Sequence, residues 1–240
     1  MTASREIALK VEGLRGGPFG ADVLKGVDLE VHHGEVVALM GPNGSGKSTL
    51  LHLLMGHPDY EITEGQVWVD GVDVTGATVE ERSRAGLFAA FQYPTELPGV
   101  PLEDLIREAL TARGRDAEDV SVDEMARQIG MDPALLTRGV NDDFSGGEKK
   151  RSEVVQMEIL RPSIAILDEI DSGLDVDALA ASSERIREIA GQGTGVLLIT
   201  HYKLLLDHVP PTTVHIFVDG RIDRSGGPEL AAELEEAGYK

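Results

Sequence analysis

The chain has 240 residues, no cysteine and a net charge of −20, from 42 acidic against 22 basic residues. Without thiols it can form no disulfide and hold no cluster or metal through thiolates. So acidic a surface argues against a general nucleic-acid binder, whose partner needs a basic face, and against docking on anionic lipid; it reads as a solvated surface that aids solubility.

No stretch reaches the roughly 18 apolar residues that span a bilayer. The opening MTASREIALKVEG lacks the apolar run of a signal peptide, so a cytoplasmic chain without membrane insertion is expected. Residues 7–11 and 27–31 alternate apolar and polar side chains, which predicts antiparallel strands. Residues 36–40 (VVALM) are continuously apolar, as in a strand covered on both faces. A helix is predicted over 48–55, and a strand over 66–69 that turns at Asp70-Gly71 into an edge hairpin. Another short strand falls at 87–91.

From about residue 93 to residue 160 charges are frequent and apolar positions recur at helical spacing, as in Leu102, Leu105, Ile106 and Leu110. This segment reads as a helical insertion. Strands return at 164–167, 195–200 and 214–218. Residues 228–237 read as a short acidic helix with Pro228 in its first turn and Gly238 after it. Strands alternating with helices indicate a doubly wound α/β core.

Between the strand at 36–40 and the helix that follows lies GPNGSGKST: Gly41, Pro42, Asn43, Gly44, Ser45, Gly46, Lys47, Ser48 and Thr49. It fits GxxxxGK[ST] and sits between strand and helix, where the pattern forms a phosphate cradle. Loop N–H groups and the positive end of the helix dipole face one anion. Lys47 reaches the terminal phosphates, and the Ser48 hydroxyl suits Mg²⁺.

The run Ile164-Ala165-Ile166-Leu167-Asp168-Glu169 places two carboxylates at the end of an apolar strand. Ligands of α/β sheets bind at that end, so Asp168 is placed to hold Mg²⁺ directly or through water. Glu169 is placed to orient a water at a γ-phosphate. Phe144-Ser145-Gly146-Gly147-Glu148 opens a helical stretch. Ser145 and Glu148 form the S-x-x-E capping box, and the glycines leave room for a phosphate at the helix N-terminus. Lys149, Lys150 and Arg151 follow, in turns where the helix dipole disfavours cations. They serve solvation or neutralise Glu148; alternatively one lysine pairs with Glu169 in the unassembled subunit and holds it from the water.

Together these motifs resemble the ATP-binding cassette superfamily. The phosphate loop, Gln92, FSGGE, ILDE, the SGLD loop at 172–175 and His201 fall in that family's order. The resemblance implies one α/β ABC ATPase cassette over 1–240. Its P-loop NTPase core, with an N-terminal antiparallel β-subdomain, would comprise 1–92 and 161–240, and an inserted helical subdomain 93–160. It implies that two cassettes sandwich ATP head to tail. Ser145, Gly146, Gly147 and Glu148 of one would face the nucleotide held by the other, and Asp175 would lie in the dimer loop. It gives Gln92 a contact to Mg²⁺ and the attacking water, and His201 one to the γ-phosphate. Adenine has only Phe19 as a nearby aromatic, so apolar contact from Val23 or its neighbours is expected.

A narrower likeness runs through FQYPTELPGV (91–100), FSGGEKKR (144–151), LDEIDSGLDVDAL (167–179) and THY (200–202). These strings are similar to the SufC family, the ATPases of Suf iron–sulfur cluster assembly. That likeness implies SufB- and SufD-like partners docking near Gln92, with the cluster built on a partner and not on this chain. The alternative is the nucleotide-binding subunit of a membrane transporter.

Overall fold

A computed structural model describes residues 6–200 and 203–237. In chain order it begins with β1 (Ile7–Pro18), β2 (Leu24–His32), β3 (Val36–Met40), α1 (Lys47–Met55), β4 (Tyr60–Val69), β5 (Val72–Asp73), α2 (Val79–Arg84) and β6 (Leu87–Ala90). The middle comprises β7 (Leu97–Pro101), α3 (Leu102–Ala112), α4 (Val122–Gln128), β8 (Gly139–Val140) and α5 (Gly146–Leu160). Then follow β9 (Ile164–Asp168), α6 (Val176–Gly191), β10 (Gly195–Ile199), α7 (Lys203–His208), β11 (Thr213–Val218), β12 (Arg221–Gly226) and α8 (Glu229–Ala237).

The central sheet has the order β12-β11-β3-β10-β9-β6. Its strands run parallel except β12, which returns antiparallel beside β11. The apolar run of β3 makes it an interior strand buried on both faces. Val36, Ala38 and Met40 point into a core shared with the helices. Val37 and Leu39 point into a second core shared with α1 and the antiparallel strands. β9 and β10 divide their side chains between the two cores in the same way.

The second core is closed by a four-stranded antiparallel sheet of order β2-β1-β4-β5. The hairpin at 70–71 forms as its sequence predicts: Val69 pairs with Val72, and Asp70 (φ 50°) and Gly71 (φ 74°) both take left-handed backbone. The segment after β6 is helical as expected, with Leu102, Ile106 and Leu110 buried along one stripe of α3. It also contains a small two-stranded sheet, in which Leu97 faces Val140 and Pro101 faces Gly139.

Candidate functional site

The phosphate loop leaves the carboxyl end of β3 and enters α1 at Lys47. Gly46 holds φ 107° and Gly44 φ 78°, backbone that glycine adopts without penalty. Gly41 answers a different need. A Cβ there would lie 2.1 Å from the Phe217 carbonyl oxygen of β11, so only glycine lets the loop pass that strand. The Lys47 ammonium is buried and donates to the carbonyls of Gly41 at 2.7 Å and Pro42 at 3.1 Å. Burial pulls its pKa below the ordinary lysine value, opposed by the charges of Glu169 and Asp168. The Ser45 hydroxyl is buried with no hydrogen-bond partner among the described residues.

The carboxylates arrive on β9, which lies between β10 and β6. Asp168 is buried at its carboxyl end, opposite Ile199 of β10. Glu169 has left the strand with φ 48°, a left-handed backbone rare for a residue with a side chain. Its N–H donates to the Ile199 carbonyl at 2.9 Å, which fixes the turn. Gln92, just beyond β6, donates its amide N–H to the Glu169 carboxylate.

These three stretches meet in one cavity of about 330 Å³, lined by Asn43, Gly44, Gly46, Lys47, Ser48, Thr49, Gln92, Asp168 and Glu169. Gly41, Pro42 and Ser45 support the loop from outside that lining. Val23 closes another side, whereas Phe19 is 66 % exposed and not part of it. His201 lies outside the described residues.

The donor set suits magnesium: a serine hydroxyl, an amide oxygen and a buried carboxylate, all oxygens beside a phosphate cradle. No group of three or more His, Cys, Asp or Glu among the described residues forms a metal cage of its own.

Ser145 to Glu148 do not line this cavity. They cap α5 with both halves of a capping box: the Ser145 hydroxyl accepts from Glu148 N–H at 3.3 Å, and the Glu148 carboxylate accepts from Ser145 N–H at 2.7 Å. The Ser145 hydroxyl and N–H hold the Glu148 pKa below the usual carboxylate value. A Cβ added at Gly146 would meet nothing within 4 Å. Packing within this chain therefore gives no reason for glycine there. Asp175 is the N-cap of α6, accepting from Ala178 N–H at 2.8 Å.

The lysine run corrects the expectation of a latch on Glu169. Lys149 pairs with Glu96 at 2.7 Å. Lys150 turns into the protein, where it pairs with Glu153 at 3.3 Å and donates to the Phe91 carbonyl. Both charges are engaged away from Glu169, because one turn of α5 carries Lys150 under the chain leaving β6. Sequence reading passed over Glu153. The available signal was its (i, i+3) spacing from Lys150, which is indistinguishable from a solvent-facing pair until burial is known. Its carboxyl is pushed up to about 7 by burial, against the pull of Lys150.

A cradle with a buried lysine, two carboxylates at the end of β9, one strand removed from β3 in the same sheet, and a helix elsewhere on the fold that opens on Ser145 and two glycines define a nucleotide-binding cassette. The ABC transporter family model matches residues 24–172. Vegetative protein 296 of Bacillus subtilis (strain 168) is 48% identical over 227 residues, covering 92% of this chain and 87% of that protein. The probable ATP-dependent transporter slr0075 of Synechocystis sp. is 48% identical over 241 residues, with 96% and 94% covered. Among solved structures, an ATP-binding subunit of an ABC transporter superposes with a TM-score of 0.82 at 28% identity, covering 97% of this chain and 95% of that one. The dimeric cassette MJ0796 shares the fold, with a TM-score of 0.78 at 21% identity over 92% and 98% of the two chains. The chain belongs to the ABC transporter ATP-binding cassette family, and it is an ATPase. Among its described residues no helix is long and apolar enough to cross a membrane.

Proposed function

We propose that this chain is the ATP-hydrolysing subunit of a Suf-type iron–sulfur cluster assembly complex in the cytoplasm, driven by ATP-dependent head-to-tail pairing of two cassettes. The observation that carries the catalytic part is the convergence of Lys47, Asp168, Glu169 and Gln92 on one cavity. Lys47 neutralises the β- and γ-phosphates, and the loop N–H groups hold them. When bound, Mg²⁺ supplies charge neutralisation at the phosphates, and Ser48, Asp168 and Gln92 are the residues that would hold it. Glu169 polarises and aims the attacking water. Orientation and charge are its contribution. Gln92 fixes Glu169 through its amide N–H, and its carbonyl oxygen remains as an acceptor. His201 is assigned to the γ-phosphate on the family resemblance.

The open space at Gly146 supports a second part. A glycine with no packing role at a helix N-terminus suits a phosphate brought by a partner cassette. On this reading Ser145, Gly146, Gly147 and Glu148 complete the partner's site, and Asp175 lies at the cassette boundary.

The Suf assignment is supported by the strings at 91–100, 144–151 and 167–179. A docking surface beside Gln92 is supported by Tyr93, 84 % exposed, with Leu97 and Val100 also exposed close by. SufB- and SufD-like proteins are the proposed occupants, with the cluster on them. A membrane-transporter partner is the second reading, and the transporter names of relatives such as slr0075 favour it. Affinity purification of the tagged chain from separated soluble and membrane fractions tests the choice. Stoichiometric soluble partners support Suf assembly; a co-purifying integral membrane protein overturns it.

A further inference from the structure

The chain leaving β6 has a problem that its own strand cannot solve. Ala90 is the last residue paired to β9, so the N–H and C=O of Phe91 have no strand partner as the backbone turns toward Gln92. A buried polar backbone group left unsatisfied is costly. Helix α5 supplies both missing partners. Phe91 N–H donates to the Glu153 carboxylate at 2.8 Å, and the Lys150 ammonium donates to the Phe91 carbonyl. The two side chains also pair with each other, and they are only 4% and 7% exposed. An ion pair so buried is an expensive way to hold a fold, and apolar residues of similar volume commonly serve as well. What an apolar pair cannot do is grip a donor and an acceptor on one peptide segment.

We infer that Lys150 and Glu153 are positioning residues: they clamp the backbone of Phe91 so that the next residue, Gln92, stands against Glu169. The clamp sits on α5, the helix whose first turn is the Ser145 to Glu148 signature. A displacement of that signature is therefore carried by one rigid helix to the Gln92–Glu169 contact. This rests on the proposed roles of Gln92 and Glu169. Sequence position gives Lys150 no link to Gln92; the link exists only because α5 packs beneath the end of β6.

The test is a double-mutant cycle on ATP turnover in the full chain, with the soluble partners present if the chain alone is too slow. Glu153→Ala and Lys150→Met are each expected to lower kcat on the order of 10–100-fold, the scale of a misplaced catalytic group. The KM for ATP should change by less than about threefold, because neither side chain lines the phosphate cavity. Glu153→Gln, which retains an acceptor for Phe91 N–H, should recover part of the loss. In a Gln92→Ala background the Glu153→Ala change should add little, because a clamp acting through Gln92 has nothing left to position. Multiplying losses in that background, or unchanged kcat in the folded single variants, overturns the inference. If Glu153→Ala does not fold, the neutral pair Lys150→Met with Glu153→Gln carries the same cycle. Failure of the underlying site reading is separate: Glu169→Gln or Gln92→Ala with normal turnover would show it.

Discussion

Arg82 gives the sharpest prediction about what holds the phosphate-loop helix. It is 2% exposed, and no carboxylate among the described residues pairs with it. Its guanidinium instead donates to carbonyls: Ala77 at 2.9 Å, Leu53 at 2.9 Å, Leu54 at 2.8 Å and Thr75 at 2.7 Å. Leu53 and Leu54 lie in the last turn of α1, where carbonyls run short of helical donors and the dipole favours a cation; the Leu53 carbonyl also accepts from Gly56 N–H at 3.2 Å. Gly56 makes the room, since a Cβ there would lie 2.8 Å from Arg82 Nε.

Arg82→Met keeps the apolar stem and removes every one of these bonds. A hydrogen bond from a charged donor contributes roughly 1.5–3 kcal/mol, so a plain sum would reach about 6–12 kcal/mol. That sum is an upper bound, because the variant no longer buries a cation and water can reach part of the site. About 3–5 kcal/mol is expected: each buried carbonyl left without its donor costs roughly 1–3 kcal/mol, offset in part by the cation that no longer has to be desolvated. For a chain of this size that corresponds to a fall in Tm of roughly 6–20 °C. Urea and thermal unfolding, with and without ATP, measure it. Arg82 contacts the far end of α1, about 10 Å from Lys47 along the axis, so turnover of the folded variant should stay near wild type. Destabilisation under about 1 kcal/mol would refute the capping argument.

Three further outcomes are expected. Lys47→Ala removes the cation at the β/γ-phosphates and should abolish ATP hydrolysis while the fold survives; a variant with normal turnover would reject the assignment of the loop. Glu169→Gln preserves shape but not charge, so turnover should fall roughly 10²–10⁴-fold and the protein should elute with ATP as a dimer in gel filtration; monomer alone would speak against head-to-tail pairing. Glu153 sets a pH dependence of stability. Its pKa rises from 4.5 unfolded to about 7 folded, so between those values the folded state holds a proton that the unfolded chain has released. Its contribution is fully present below the unfolded value and is lost as pH rises through the folded one, about 3 kcal/mol in all. Unfolding free energies across that range should therefore diverge between wild type and Glu153→Gln; parallel curves would reject the assignment.

Elements with strong local signals were legible in the residues. VVALM (36–40) read as an interior strand because a continuous apolar run needs cover on both faces, and β3 has it; the strands read at 164–167 and 195–200 form as β9 and β10, covered in the same way. The turn at Asp70-Gly71 was legible because few residues accept left-handed backbone. β12 was not legible. RIDRSG is a polar edge strand with mostly exposed side chains, held by its pairing to β11 and not by an apolar pattern. The capping box of α2, Thr78 with Glu81, also passed unread in a segment too short to show periodicity.

By itself the sequence determined the chemistry available: a glycine loop with Lys47 and Ser48, a carboxylate pair ending a strand, and a glycine-rich helix start. Each is a contiguous run whose function depends on local backbone, so each announces itself. Tertiary structure alone decided what those runs meet. It brought Gln92 against Glu169 across 77 positions of chain. It turned Lys150 inward to Phe91 and Glu153, and sent Lys149 out to Glu96. It set Arg82 under the end of α1. Such side chains look alike along a sequence, because a charge carries no local mark of burial; its role is settled only when packing determines which carbonyls and carboxylates surround it.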